Sequence, residues 1–191
     1  NNYGYSPDFT MNGGSVRDNT ARDNGGGVHI TYGTFTMSGG SITGNIASND
    51  GGGAYLMYGE AFMNGGSITG NTATNGGGGV YNYSGTFNVS GSATVKDNTL
   101  KDGTTTSNVY LPSNKSITVT GALSGEIGVT TEKAPTATSP VTVTKADSSY
   151  TLTETDAAKL VSDEFDYDCV YDSSSKTMQM KSATIAHPTS W

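Results

Sequence analysis

A mainly β fold is predicted: a β-solenoid of 26-residue coils, closed at its C-terminal end by a small α+β element. Three observations predict it. One motif returns at a fixed spacing. Apolar residues within each unit fall two apart. Glycine, 27 of 191 residues, comes in runs that keep the same period.

The motif reads MNGGSVRDNTARDN from Met11, MSGGSITGNIASND from Met37, MNGGSITGNTATNG from Met63 and VSGSATVKDNTLKD from Val89, 26 residues apart each time. The last copy carries one extra residue before Val95. Gly25–Gly27, Gly51–Gly53 and Gly77–Gly79 follow the same period. No unit needs a core of its own, because stacked neighbours bury it jointly. Units rich in Gly, Thr, Ser and Asn are poor helix formers. Val28 and Ile30, then Phe35 and Met37, sit two apart, the spacing of strands. The expectation is three short strands per unit, with coils stacked at about 4.8 Å.

Inward ladders follow from the alignment. They are Val28, Ala54 and Val80; Phe9, Phe35, Ala61 and Phe87; Met11, Met37, Met63 and Val89; Val16, Ile42, Ile68 and Val95; and Ala21, Ala47, Ala73 and Leu100. Ala61 breaks its column and Phe62 follows it. Either a bulge turns Phe62 inward or the rung is thin there. The most regular polar column is Asn19, Asn45, Asn71 and Asn98. Asparagine tolerates left-handed backbone at corners, and stacked amides hydrogen-bond from rung to rung. This column is read as a structural ladder.

These residues resemble the repeats of right-handed parallel β-helix proteins, the pectate-lyase-like architecture. The form GGGVY…FTM-GGSITGNTA is similar to repeats of large bacterial cell-surface proteins. It is more loosely similar to polymorphic outer-membrane proteins and autotransporter passengers. The resemblance covers about residues 1–125 and is specific for architecture rather than activity. It implies an extracellular, wall-attached or secreted parent with an adhesive or structural stalk. The same coil carries lyases, hydrolases and adhesins, so it does not fix function.

After Asp102 the pattern loosens. SNVYLPSNKSITVTG keeps a relic of the unit, with Val109 in the place of Val80 and Ile117 and Val119 in those of Phe87 and Val89. Residues 1–128 are therefore assigned to about four regular coils and a degenerate fifth. Residues 129–191 are assigned to a capping element and tail. ALSGEIGV and SPVTVT supply further short strands. Thr153 and Asp156 form a capping box, with Leu152 as a staple against Ala157, so a helix is expected over about 154–162. Phe165, Tyr167, Cys169 and Tyr171 then alternate as a strand, DSSSK turns the chain, and Met178 and Met180 answer from the partner strand of a hairpin. IAHPTSW is a tail or the start of a next module.

Composition narrows the function. The net charge of −7 leaves no basic stripe for nucleic acid. No apolar run reaches the ~20 residues of a membrane span. The chain opens without a methionine and reads as an excised fragment, so the lack of a signal peptide says nothing about export. A monomer is expected for such a fragment. The single cysteine, Cys169, has no disulfide partner within the chain and is expected as a small buried hydrophobe.

Candidate chemistry is sparse. Asp18 and Asp97 lie three rungs apart, roughly 14 Å, outside the about 5–9.5 Å of glycosidic carboxylate pairs. Asp23 and Asp50, near the corner before the glycine run, are a candidate calcium site. Two solvated turn carboxylates is the plainer reading. The stripe Asp166, Asp168 and Asp172 admits the same two readings, calcium or a solvated edge. His29 and His187 support no zinc set or catalytic triad. No cofactor is expected, calcium being the one candidate.

One column carries a binding hypothesis. Tyr3, His29, Tyr55 and Tyr81 alternate with inward residues and should point outward. Tyr32 and Tyr58 form a shorter second column. A row of rings offers apolar area with polar tips to a glycan or a protein partner. Its ordinary reading is cross-rung stacking, about 0.2–1 kcal/mol per pair. The resulting expectation is a non-catalytic, extracellular structural or adhesive module of a bacterial surface protein. The alternative is a fragment of a carbohydrate-active enzyme, a polysaccharide lyase or glycoside hydrolase on the same coil. Catalytic β-helices grow long loops on one face, and three units here carry no insertion.

Overall fold

The computed structural model describes residues 7–183. They form a parallel β-solenoid of about five turns, followed by one short helix and an antiparallel sheet. Each regular coil has four strands rather than the three expected. The extra one is a two-residue Thr-Ala or Ile-Ala pair, too short to show an alternation in sequence.

The first wall stacks Asp8–Met11, Thr34–Met37, Glu60–Met63, Thr86–Gly91, Ile117–Leu123 and Thr144–Ala146. The second stacks Ser15–Arg17, Ser41–Thr43, Ser67–Thr69, Thr94–Lys96 and Ile127–Thr131, with Leu160–Ser162 added at its end. The third is the narrow lobe of Thr20–Ala21, Ile46–Ala47, Thr72–Ala73 and Thr99–Leu100. The fourth stacks Val28–Ile30, Ala54–Leu56, Val80–Asn82 and Val109–Leu111. Strand Ile127–Thr131 pairs with both the second and the fourth walls, so the late coil crosses directly between them without the lobe.

Register agrees with the aligned columns. Met11 pairs with Met37, Met37 with Met63 and Met63 with Val89. Val16, Ile42, Ile68 and Val95 are likewise in register. Phe35 pairs with Ala61 and Thr36 with Phe62, so no bulge turns Phe62 inward and the rung is thin. Around Ala61 about 230 Å³ of interatomic space remains, none of it wide enough for a water.

The glycine runs have a steric cause. Gly25, Gly51 and Gly77 turn the chain with φ of 71°, 68° and 59°, a region costly for residues with a Cβ. The second glycine of each run lies against the lobe backbone. A Cβ at Gly26 would sit 2.4 Å from the Gly52 carbonyl oxygen and 2.7 Å from the Ile46 carbonyl carbon. At Gly52 it would sit 2.4 Å from the Gly78 oxygen and 2.5 Å from the Thr72 oxygen. The runs also ladder together, with Gly26 N–H donating to the Gly51 oxygen and Gly52 N–H to the Gly77 oxygen, each at 3.0 Å.

Three expectations for backbone and cap are corrected. The ladder asparagines are not the left-handed residues; those are the positions before them, Asp18, Gly44, Gly70 and Asp97, which frees each asparagine side chain to point inward. The helix is one turn, Glu154–Ala157, and Leu160–Ser162 extends the second wall instead, because Leu160 is drawn into the core beneath Ile127. The hairpin starts at Tyr167, with Phe165 exposed before it. Leu152, Ala157, Met178 and Met180 share one apolar core with the coils. Buried Asp156 pins the cap: its carboxylate accepts from Thr153 N, from Tyr150 Oη and, at 2.8 Å, from Leu123 N of the solenoid. Burial pushes its pKa up, but the hydrogen bonds from Thr153, Tyr150 and Leu123 outweigh it and hold the carboxyl below its ordinary value.

Candidate functional site

Two columns carry the polar and aromatic content of the coil. The first is internal. Asn19 Nδ2 donates to Asn45 Oδ1, Asn45 Nδ2 to Asn71 Oδ1, and Asn71 Nδ2 to Asn98 Oδ1, each at 2.9 Å. The backbone N–H of each donor asparagine bonds the same oxygen. Asn45, Asn71 and Asn98 are fully buried, and their amides also donate to strand carbonyls such as Val16, Ile42 and Ile68.

The ladder runs past the aligned repeats. Asn98 Nδ2 donates to Asn108 Oδ1 at 2.9 Å, and Asn108 Nδ2 to Asp163 Oδ1 at 2.6 Å. Asn108 stands where earlier coils have the third glycine, since Val80 N–H bonds its carbonyl. A Cβ at Gly79 would point at Asn98 Nδ2, so a side chain at this position reaches the ladder from the other strand. Asp163 ends the series, accepting also from Asn108 N–H and Thr130 Oγ1 at 2.7 Å. Burial pushes its pKa up, against these hydrogen bonds.

The second column is external. Ring centroids of His29 and Tyr55 lie 5.1 Å apart, Tyr55 and Tyr81 5.6 Å, and Tyr81 and Tyr110 4.9 Å. The tyrosine pairs are within 22° and 16° of parallel. Near-parallel rings at such separations stack offset, each covering part of its neighbour. Tyr55 is therefore not exposed as expected: only 6% of its surface is open, because His29, Tyr81 and Tyr83 cover it. Tyr81 is half-buried. The second pair, Tyr32 and Tyr58, stacks at 5.4 Å and stays 54% and 56% exposed. Tyr3 lies outside the described residues.

Two members of the strip are not assigned by the sequence reading. Tyr110 continues the column, and the repeated Val-Tyr pair at 80–81 and 109–110 is the signal for it. Tyr83 lies against both Tyr55 and Tyr81, and nothing in the repeat marks it, because Thr31 and Met57 occupy its column.

Carboxylates border the strip. Burial raises the pKa of Asp50, with Asp23 adding like charge. Burial followed by Asp50 raises those of Tyr55 and Tyr81; burial, then Glu132 and Asp50, raises that of Tyr110. Asp23 and Asp50 occupy different columns: Asp23 accepts from Asn49 Nδ2 at 2.6 Å, while Asp50 N–H donates to Asn24 Oδ1 at 3.0 Å. Among the described residues no group of three or more His, Cys, Asp or Glu side chains gathers as a metal set. Asp172 of the acidic stripe is bonded by Ser174, Ser175 and Gln179 around its own turn. Cys169 packs half-buried against the core, and burial pushes its thiol up to about 12.

A cleft of about 400 Å³ lies elsewhere, among residues 111–116, Thr131, Lys133 and 140–142. Lys115 at its edge is held by the Ser84 carbonyl at 2.7 Å. No described helix is long and apolar enough to cross a membrane. Comparison of the chain with protein-family models, curated proteins and solved structures gives no match. Its own geometry establishes a parallel β-solenoid of about five turns with an internal amide ladder and an external aromatic strip.

Proposed function

We propose that the chain is a non-catalytic structural and adhesive module of an extracellular, cell-surface protein, a rigid spacer that presents its aromatic strip to a glycan or a protein partner. The observation that carries this reading is the pairing of an unbroken coil register from Asp8 to Leu100 with exposed rings at Tyr32, Tyr58 and Tyr83 beside the stacked column. Regular coils make a stiff rod, and exposed aromatic rings are the side chains best suited to anchor contact. The stacked column serves as a rigid backing, with hydroxyl edges available for hydrogen bonds. Asp23, Asp50 and Glu132 act on these hydroxyls, and neither ion pair among the described residues involves them. That charge favours neutral or amine-bearing ligands over acidic ones.

The test is a glycan array and a cell-surface binding assay on the wild type beside Tyr32→Ala/Tyr58→Ala. Binding lost in the double variant, with an unchanged melting temperature, supports adhesion through the strip. Binding that survives removes these rings as the binding site, and a wild type that binds neither glycans nor cells removes the adhesive role and leaves a spacer.

A further inference from the structure

The cleft where the last coil meets the antiparallel sheet belongs to neither column. Its volume of about 400 Å³ falls within the about 300–1,000 Å³ usual for ligand sites. Leu111, Pro112, Pro140 and Val141 give it apolar surface. Its charge is opposite to that of the chain. Lys115 and Lys133 border it and no described Asp or Glu does, although the net charge is −7.

Local structure sets both lysines in place. Lys115 Nζ donates to the Ser84 carbonyl at 2.7 Å and the Gly85 carbonyl at 3.5 Å. That leaves one of its three N–H groups for a ligand. Thr131 Oγ1 donates to the Lys133 carbonyl at 2.9 Å and fixes the chain there. Glu132 does not line the cleft; it accepts from Ser113 N–H at 2.6 Å and acts on Tyr110 of the strip. The ion pairs among the described residues are Arg17–Asp18 and Lys96–Glu126, so neither cleft lysine is matched by a carboxylate.

One side of the cleft is an unused strand edge. Val141–Thr142 is the end strand of the antiparallel sheet and, among the described residues, pairs only with Thr177–Ser182. Its two side chains point to opposite faces, yet both residues border the cleft, so the strand turns its free edge to it. Opposite stands a turn closed by Lys115 N–H on the Pro112 carbonyl at 3.0 Å, with Asn114 at φ 66°. A free strand edge beside a groove takes an extended peptide through main-chain hydrogen bonds. Pro140 and the two-residue strand keep such an addition short.

From the free edge and the unmatched lysines together we propose that this cleft docks an extended acidic peptide segment of a partner protein. The segment's backbone pairs with Val141–Thr142, and its Asp or Glu side chains meet Lys115 and Lys133. The inference is independent of what the aromatic strip binds.

The experiment follows backbone amide shifts of the whole chain by NMR during titration with the peptide Thr-Glu-Val-Glu-Thr. Shifts centre on Val141, Thr142 and Lys133 and saturate at millimolar peptide. Thr-Gln-Val-Gln-Thr and Thr-Lys-Val-Lys-Thr bind far more weakly. Lys133→Gln weakens binding of the acidic peptide about three- to fivefold, the effect of one solvent-facing ion pair, with an unchanged melting temperature. Of two acidic peptides N-methylated at alternate residues, one loses binding, because only one edge of the added strand carries the bonds. No shifts at these residues overturns the proposal. So does a Gln or Lys peptide that binds as tightly, a pair of methylated peptides that both bind like the parent, or a Lys133→Gln chain that binds unchanged. Sodium acetate that reproduces the shifts at equal carboxylate concentration overturns it too, as does a hyaluronan tetrasaccharide that binds the cleft tighter than the peptide. Shifts that follow chain concentration without peptide would seat a second copy here and overturn the peptide partner.

Discussion

Asn71→Ala tests the amide ladder most directly. Asn71 Oδ1 accepts from Asn45 N at 3.0 Å and Asn45 Nδ2 at 2.9 Å. Its Nδ2 faces the Ile42 carbonyl at 2.9 Å, the Thr69 carbonyl at 3.1 Å and Asn98 Oδ1 at 2.9 Å. Truncation leaves the Asn45 N–H and one Nδ2 hydrogen of Asn45 buried without an acceptor, while Nδ2 keeps its bonds to the Val16 and Thr43 carbonyls. At about 1–3 kcal/mol for each buried group left unsatisfied, the cost is about 2–6 kcal/mol. That is a large share of the about 5–15 kcal/mol that holds a domain together. At a urea m-value of about 2 kcal/mol/M, the unfolding midpoint falls by roughly 1–3 M. Asn19→Ala is the paired control: its oxygen receives no described donor, and its loss stays under about 1 kcal/mol. Asn71→Asp adds a pH signature. A carboxylate oxygen in the place of Nδ2 would face three acceptor oxygens, which disfavours the charged form and raises the folded-state pKa. A raised pKa contributes stability below the unfolded value of about 3.9 that is lost as pH rises through the folded one. The variant therefore approaches wild-type stability at acid pH and falls away from it at neutral pH. Equal losses at Asn71 and Asn19, or an Asn71→Asp deficit that ignores pH, would falsify the load-sharing ladder.

Other outcomes follow from the same geometry. Gly52→Ala drives a methyl into the Gly78 and Thr72 carbonyls, backbone on both sides, and should lower the melting temperature far more than Gly13→Ala, which meets open space. Asn82 sits in register with Leu56, buried, with neither Nδ2 nor Oδ1 bonded. Asn82→Leu should raise stability by about 1–3 kcal/mol by removing the unsatisfied amide, as read by urea unfolding; a destabilised variant would show that this amide has a partner. The Cys169 thiol, held up to about 12 by burial, should react with a thiol reagent at pH 8 far more slowly in the folded chain than in urea; equal rates would refute its burial.

Legibility in the sequence follows periodicity. Columns with 26-residue spacing, such as Met11 to Met63 and Val16 to Ile68, take their face and rung from the repeat alignment alone, and the strand register agrees. Asn108 and Asp163 have no such spacing. Asn108 follows its ladder neighbour by 10 residues and Asp163 follows Asn108 by 55, because the late coil omits the lobe. The box Thr153–Asp156 is readable, yet its helix stops after one turn. Local capping starts a helix, but a place for Leu160 beneath Ile127 decides where it ends. The aromatic strip is half readable. Its outward direction comes from alternation, while the mutual covering that hides Tyr55 depends on Tyr83 arriving from a different column.

By itself the sequence determined the coil length, the inward ladders and the class of fold, because a fixed period forces like residues to stack and the strand period of two sorts them inside and out. The tertiary structure alone decided why the glycines are needed, how the amide ladder ends on Asp163 and which rings reach solvent. These depend on backbone atoms and side chains brought within a few ångströms by neighbouring coils, and no local pattern carries that information.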